Sequence, residues 1–379
     1  MMENKQNIDK MLRRIATEIE ISQTEHERAV KSYNAVGTFL DNNIPQYDIK
    51  VIPQGSFRLG TVIKPITDKD EYDIDLVAIV DNKFTNAEDL KNIVGDALKE
   101  SDRYSEKLKE GKRCWTIEYA ESSNYHMDIL PAMKSDTYMT TKELTMTHKE
   151  DEKSDYEFRQ TNPEAYYDWF AKRMEEEKKK LTEEYAIRNK LEIVDVPEYE
   201  IKTTLQIAIE IIKRYRDIKF QENPDIKPIS IILTTLMARI YTGKENVYEL
   251  IEKFSKEYIM YLEKDENGDI LIKNPVNENE NFADKWPQYP ERKEAFFKFM
   301  TELNIDLVTN KILLEGNIRD QATSYKKLFG ENMVNRVYES IANETRIERE
   351  NSNIYLKENG NITSQKTNIN VRNHNFYGK

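Results

Sequence analysis

The sequence predicts an α+β protein of two lobes, a mixed α/β lobe followed by a helical one. Between residues 47 and 130, short β-branched or alternating runs are interleaved with a helical segment. Beyond about residue 200, apolar residues recur almost wholly at helical spacing. At 379 residues the chain can bury two cores, and no low-complexity linker divides it, so a close interface between the lobes is expected. The expected boundaries are 1–150 for an N-terminal helix and the α/β lobe, 151–350 for the helical lobe and 351–379 for a flexible tail.

From about residue 5 to 41, Ile8, Met11, Leu12, Ile15, Ile19 and Ile21 recur at roughly helical spacing and predict one long amphipathic helix. Tyr47 to Ile52, Ile74 to Val80, Cys114 to Tyr119 and Tyr125 to Leu130 read as strands, with Ala87 to Leu98 a helix among them. Residues 155–190 are charged and read as helical, with Glu175 to Lys180 a solvated face and Pro197 a breaker. Helices are then expected over Leu205–Lys219, Ile229–Tyr241, Val247–Tyr261, Glu291–Leu303, Leu307–Leu314 and Glu331–Ala342, with Lys273 to Trp286 irregular. Residues 351–379 hold eight Asn, four Lys or Arg and a single Glu, too little apolar content for a core.

Composition excludes several function classes. Lys plus Arg total 57 against 69 Asp plus Glu, a net charge of −12, so stable nucleic-acid binding is not expected. Small nucleotides brought in with Mg²⁺ remain compatible. The single cysteine, Cys114, permits no intrachain disulfide and no cysteine-type zinc site, and its apolar surroundings point to packing. No apolar stretch approaches the ~20 residues of a membrane span, and MMENKQNIDK lacks a signal-peptide core, so a cytoplasmic protein without membrane attachment is expected.

The chemistry concentrates in three carboxylates and a turn. In Tyr72-Asp73-Ile74-Asp75-Leu76-Val77, strand alternation puts Asp73 and Asp75 on one face. Two such carboxylates resist joint ionisation unless a cation neutralises them, although Asp-x-Asp alone also suits an exposed strand. Asp128 sits in the apolar strand Tyr125-His126-Met127-Asp128-Ile129-Leu130, where a lone carboxylate needs a salt-bridge partner or a metal. Gln54-Gly55-Ser56 could be an ordinary turn, but a Gly lets backbone N–H groups approach a phosphate and the Ser hydroxyl can donate to it. No Gly-Lys-Ser/Thr follows, so this is not a P-loop, and protein-kinase signatures are missing. His126 and the other three histidines show no paired ligand spacing and read as structural.

The ordered set GSFRLGT, YDIDLV and HMDILPA resembles the polymerase-β-like nucleotidyltransferase superfamily, and more narrowly the bacterial cGAS/DncV-like nucleotidyltransferases (CD-NTases, the SMODS group) of CBASS anti-phage systems. Three later segments strengthen the likeness, which spans about residues 45 to 290. These are Leu205 to Asp217, Lys227-Pro228-Ile229-Ser230-Ile231-Ile232-Leu233, and Asn274-Pro275-Val276 with Glu280 to Trp286. Ile231 stands where animal relatives often carry a base-stacking tyrosine.

The resemblance implies a two-lobed polymerase-β-like fold that makes a cyclic di- or trinucleotide second messenger from NTPs, ATP among them. A ribose hydroxyl would attack an α-phosphate and expel pyrophosphate. Asp73 and Asp75 would bridge two Mg²⁺ ions (Mn²⁺ an acceptable substitute), and Asp128 would ligate the ion that activates the hydroxyl. Gln54, Gly55 and Ser56 would hold the nucleotide phosphates, helped by Lys213 and Ser230. Without the family pattern, Lys213 reads as a solvent-facing base beside Arg214 and Arg216, and Ser230 as a helix N-cap. Expected partners are a product-activated effector and an accessory protein docking on the tail through Phe376-Tyr377 or the alternating run Asn368-Ile369-Asn370-Val371. Two other functions stay open: transfer of a nucleotide to a protein, drug or RNA 3′ end, and an inactive nucleotide-sensing scaffold.

Overall fold

Two helices, not one, fill the N-terminal segment. Ser22 Oγ accepts from the Glu25 backbone N–H while the Glu25 carboxylate accepts from the Ser22 N–H, a capping box that begins a new helix. The computed structural model describes residues 2–67, 71–119, 125–149, 155–196, 198–351, 355–356, 362–363 and 369–370. In it α1 spans Met2–Ile19 and α2 spans Gln23–Asn43. The expected single helix over 5–41 is corrected here, because the apolar spacing runs through the break that the cap creates.

The sheet follows with β1 (Ile49–Pro53), the short helix α3 (Gly55–Leu59), β2 (Tyr72–Val80), α4 (Ala87–Lys99), β3 (Leu108–Glu110), β4 (Trp115–Glu118) and β5 (Tyr125–Lys134). Beyond a turn of helix, α5 (Tyr138–Thr141), come β6 (Leu144–Lys149) and β7 (Tyr156–Thr161). The path is β1-β2-β5-β4-β3, and β6 pairs with both β5 and β7. β2 and β5 run parallel, from Tyr72 opposite Tyr125 to Val80 opposite Met133. β5 pairs with β4 along its first half and with β6 near its end. β7 replaces the first part of the helix expected over 155–190. Its charged, half-buried residues give no apolar alternation, and pairing with β6 makes it a strand.

Strand alternation divides the core. Ile74, Leu76, Met127 and Ile129 pack with Val36 and Leu40 of α2 and Leu90, Val94 and Leu98 of α4. On the other face, Val77 and Ile79 pack with Ile52, Leu130, Leu144 and Met146. The starts of β2 and β5 carry aspartates on that second face, and so outside the apolar packing.

The helical part comprises α6 (Pro163–Arg173), α7 (Glu175–Asn189), α8 (Thr204–Lys219), α9 (Ser230–Ile240) and α10 (Val247–Glu257). Two small hairpins follow, β8 (Glu263–Lys264) with β9 (Ile270–Leu271) and β10 (Lys273–Asn274) with β11 (Asn277–Asn281). The last helices are α11 (Pro290–Leu303), α12 (Lys311–Glu315), α13 (Ile318–Phe329) and α14 (Glu331–Glu350). Ile8, Leu12, Ile15 and Ile19 of α1 are buried in this helical core. The segment expected to be irregular, Lys273 to Trp286, contains the β10–β11 hairpin. The helix expected over Leu307–Leu314 is a π turn, Asn304–Val308, followed by α12. α13 was not expected, since its buried side chains, Tyr325, Leu328 and Phe329, crowd its C-terminal end. α7 ends at Asn189 with Lys190 in a left-handed cap, and Pro197 lies outside the described residues. Glu175, Glu176, Lys179 and Lys180 are exposed, but Glu177 accepts from the N-terminal N–H of α8 at Thr204.

In the tail, β12 (Tyr355–Leu356) lies between β13 (Ile362–Thr363) and β14 (Ile369–Asn370). Asn368, Val371, Phe376 and Tyr377 lie outside the described residues.

Candidate active site

Parallel pairing of β2 with β5 sets Asp73 beside His126 and Asp75 beside Asp128. Burial, with the negative charges of Asp73 and Asp128, pushes the Asp75 carboxyl up to about 6. Asp73 behaves differently. Burial works to raise its carboxyl, but the hydrogen bond and charge of His126 hold it below the usual range. His126 Nε2 lies 3.0 Å from Asp73 Oδ1, and Nδ1 lies 3.2 Å from Glu71 Oε2. The hydrogen bond to Asp73 raises the imidazole to about 9 despite burial. Thr116 Oγ1, from the neighbouring strand β4, donates to Asp128 Oδ1 at 2.5 Å. Among the described residues, no three acidic, His or Cys side chains already converge as a metal-ligating group.

The turn before α3 is tied directly to this cluster. The Gln54 N–H donates to the Asp75 carbonyl at 2.8 Å, and Gly55 takes φ +59°. A Cβ on Gly55 would fall 2.1 Å from Asp75 Oδ2, so glycine alone permits the approach.

α8, with Lys202 just before it, clamps the segment after the turn by its backbone carbonyls. Gln206 Nε2 donates to Leu59 O at 2.9 Å, Lys202 Nζ to Gly60 O at 2.8 Å, Lys213 Nζ to Thr61 O at 2.8 Å and Arg214 Nη2 to Lys64 O at 2.6 Å. These bonds join the lobes. They also overturn the solvent-facing reading of the helix, because Lys213, Arg214 and Arg216 are all buried. Burial brings the Lys213 ammonium down to about 8.

Two cavities meet at Gly55, Leu59, Asp75 and Ile231. The smaller, about 420 Å³, is lined by Ser56, Asp73, Lys213, Arg216, Lys227 and Ser230. Ser230 is not the N-cap, because Ile229 holds that position; its Oγ accepts from Arg216 Nη1 at 2.6 Å. Asp217 holds Arg216 at 2.6 Å and Lys227 at 3.3 Å. The larger cavity, about 680 Å³, runs from Gln54 and Asp75 past Arg113, Arg159, Tyr166 and Tyr167 to Glu280, Phe282 and Asp284. A recess lined by Lys213, Arg216 and Lys227 opposite aspartates, beside an aromatic-walled recess, suits a nucleotide whose phosphates arrive with a cation. All the residues expected at the site line one or both cavities except Asp128, which borders them through its pairing with Asp75.

Sequence reasoning missed Thr116, Arg216, Lys227 and a site position for His126. The lone histidine had no spacing signal, whereas Arg216 and Lys227 stood in segments already singled out. Cys114 is consistent with packing, since burial pushes its thiol up to about 11.

Residues 7–173 match the Second Messenger Oligonucleotide or Dinucleotide Synthetase domain family. The chain is 30% identical over 334 residues to a c-di-GMP synthase of Roseivirga ehrenbergii, covering 86% of this chain and 85% of that one. Among solved structures, the CD-NTase CdnG of Bradyrhizobium diazoefficiens in complex with GTP superposes with a TM-score of 0.71 at 21% identity, covering 89% of this chain and 99% of that one. CdnC of E. coli MS115-1, in its complex with HORMA-deltaN, superposes with a TM-score of 0.60 at 14% identity, covering 85% and 96%. Together with the polymerase-β-like architecture, these place the chain in the cGAS/DncV-like nucleotidyltransferase (CD-NTase) family, as a nucleotidyltransferase that builds cyclic oligonucleotides from nucleoside triphosphates.

Proposed function

We propose that Asp73, Asp75 and Asp128 direct nucleotidyl transfer in this chain, giving a cyclic di- or trinucleotide that signals in anti-phage defence. The observation that carries this reading is the register of Asp75 against Asp128, directly above the Gly55 turn. The donor set fits divalent cations, Mg²⁺ above all: three carboxylates share one sheet face, and burial together with the charges of Asp73 and Asp128 raises Asp75. Asp73 would have to turn from His126 to join such a set. When bound, the cations supply Lewis-acid activation of the hydroxyl and charge compensation for the leaving group.

The chain's own residues then have distinct tasks. The Gly55 and Ser56 backbone and the Ser56 hydroxyl hold the β- and γ-phosphates in the smaller cavity, with Lys213 opposite them. Ser230 and Arg216 complete that wall. A ribose hydroxyl oxygen attacks the α-phosphorus, the bond to the β-phosphate oxygen breaks, pyrophosphate leaves, and the hydroxyl proton passes to Asp128. A second transfer closes the ring. An accessory protein belongs to the same proposal, supported by the HORMA complex of the E. coli structural neighbour, with the tail as its docking segment on this chain. So do a product-activated effector and a cytoplasmic site of action; no helix among the described residues is long and apolar enough to cross a membrane.

Incubation of the purified protein with the four NTPs and Mg²⁺, with products sized by mass spectrometry, tests the reading. A cyclic product that disappears with Asp75→Asn is expected. Linear products alone, or transfer onto an added protein or RNA, would overturn it.

A further inference from the structure

The far wall of the larger cavity sets the acids Glu280 and Asp284 in one cleft with the base Arg113. Glu280, on β11, receives one hydrogen bond, from Asn274 Nδ2 to Oε2 at 2.7 Å, which fixes the plane of its carboxylate. Each carboxylate oxygen can accept two hydrogen bonds, so the group keeps acceptor capacity toward the cleft. Arg113 lines the same cleft, with its Nε spent on His148 Nδ1 at 3.0 Å. The guanidinium is thus oriented while its terminal nitrogens stay available as donors. Asp284 lines the cleft beside them, and Tyr167 and Phe282 contribute aromatic surface. Burial raises the Glu280 carboxyl, against the Asn274 hydrogen bond and the Arg113 charge, so this group gains from further donors.

A carboxylate and a guanidinium that share a cleft and interact through their charges can offer acceptors and donors to one base edge. Of the four bases, only guanine presents two adjacent donors, N2–H and N1–H, followed by the O6 acceptor. Adenine sets its N1 acceptor against the carboxylate. Cytosine does the same with N3, and uracil has one donor between two acceptors. We infer that Glu280 and Arg113 read the Watson–Crick edge of guanine, making this a guanine-selective synthase. The inference rests on the cleft being the nucleotidyl-transfer site. Glu280 and Arg113 here are specificity-determining residues, remote from the reacting phosphate.

The test is competition between equimolar GTP and ATP, with incorporated guanosine and adenosine measured by mass spectrometry. Nucleotide-induced shifts in melting temperature, read with non-hydrolysable GTP and ATP analogues, run in parallel. Wild type should incorporate guanosine preferentially and be stabilised more by the GTP analogue. Glu280→Gln turns an NH₂ toward the guanine donors, and the preference should fall roughly tenfold or more, the scale of one bidentate base contact. Arg113→Gln should shift the ratio in the same direction without altering the carboxylate, and the nucleotide-free melting temperature of each variant reports on folding. Equal use of GTP and ATP by wild type, or an unchanged ratio in both folded variants, would overturn the inference while leaving cyclic synthesis intact. Absence of any product would instead count against the functional reading, and the analogue-binding ratio would still decide the base.

Discussion

Gly55 and Asp75 are in such close apposition that a single methyl group on Gly55 would sit 2.1 Å from Asp75 Oδ2. The Gly55 turn and the central carboxylate are therefore one mechanical unit. Gly55→Ala should cost about 1–2 kcal/mol from its left-handed backbone alone, and the displaced carboxylate should remove most synthesis. Denaturant unfolding and product assay check both; a fully active Gly55→Ala would show that the turn and Asp75 move independently.

Removing a carboxylate should separate activity from stability. Asp73→Asn or Asp75→Asn should lower turnover by several orders of magnitude. Without metal, however, the melting temperature should hold or rise, because a charge leaves a crowded anionic cluster. A double variant that still makes product would exclude the aspartates from the chemistry.

Thr116 acts through Asp128. Thr116→Val removes the donor to Asp128 Oδ1 and should lower kcat by roughly 10–100-fold, the usual effect of losing a group that orients a ligating carboxylate. Thr116→Ser should restore the rate, whereas a role in packing alone would be better rescued by valine. Comparing kcat, KM and melting temperature across the pair distinguishes the two.

Lys213 ties α8 to the Thr61 carbonyl and lines the smaller cavity. Lys213→Ala should raise the apparent KM for NTP, since a charge-assisted phosphate contact is worth roughly 1.5–3 kcal/mol. It should also lower the melting temperature, because the Thr61 carbonyl loses its donor. An unchanged KM would assign Lys213 to the lobe clamp alone.

His148 supplies a pH signature. Burial, then the positive charges of Arg113 and Arg159, push its imidazole down to about 4. A group neutral in the fold but titrating near ~6.5 when unfolded contributes stability above that pH. This contribution is lost as pH falls from about 6.5 toward 4. The drop in melting temperature between pH 7 and pH 5 should be smaller in His148→Asn than in wild type, and equal drops would show that the imidazole charges freely.

Much of the site was legible locally. Asp73 and Asp75 share a face because strand side chains alternate, and Gly55-Ser56 before them marked the turn. The α4 helix was read to within one residue of its observed ends, and the start of β5 was read at Tyr125, although β5 continues past the expected Leu130 to Lys134. β6 and β7 were not read: β6 is buried on both faces although Thr145, Thr147 and His148 are polar, and β7 is half-buried throughout, so neither shows a clean alternation. Nor was the break at Ser22, whose signal is a reciprocal pair of hydrogen bonds rather than a change of apolar period. Lys213 looked solvent-facing because neighbouring arginines suggested a wet stripe, yet Gln206, Lys213 and Arg214 donate to the carbonyls of Leu59, Thr61 and Lys64, and Arg216 to Pro228 and Ser230.

The sequence by itself determined the two-lobe plan, the Asp-x-Asp face and the Gly55-Ser56 turn, because each depends on residues within a few positions of one another. Only the tertiary structure decided that Asp128 stands level with Asp75, that His126 reaches Asp73, and that Glu280 shares a cleft with Arg113. Those contacts join strands, helices and hairpins far apart in the chain. They are set by sheet order, by register and by the clamp of α8 on the turn, which are settled by packing the whole molecule and leave no local period to read.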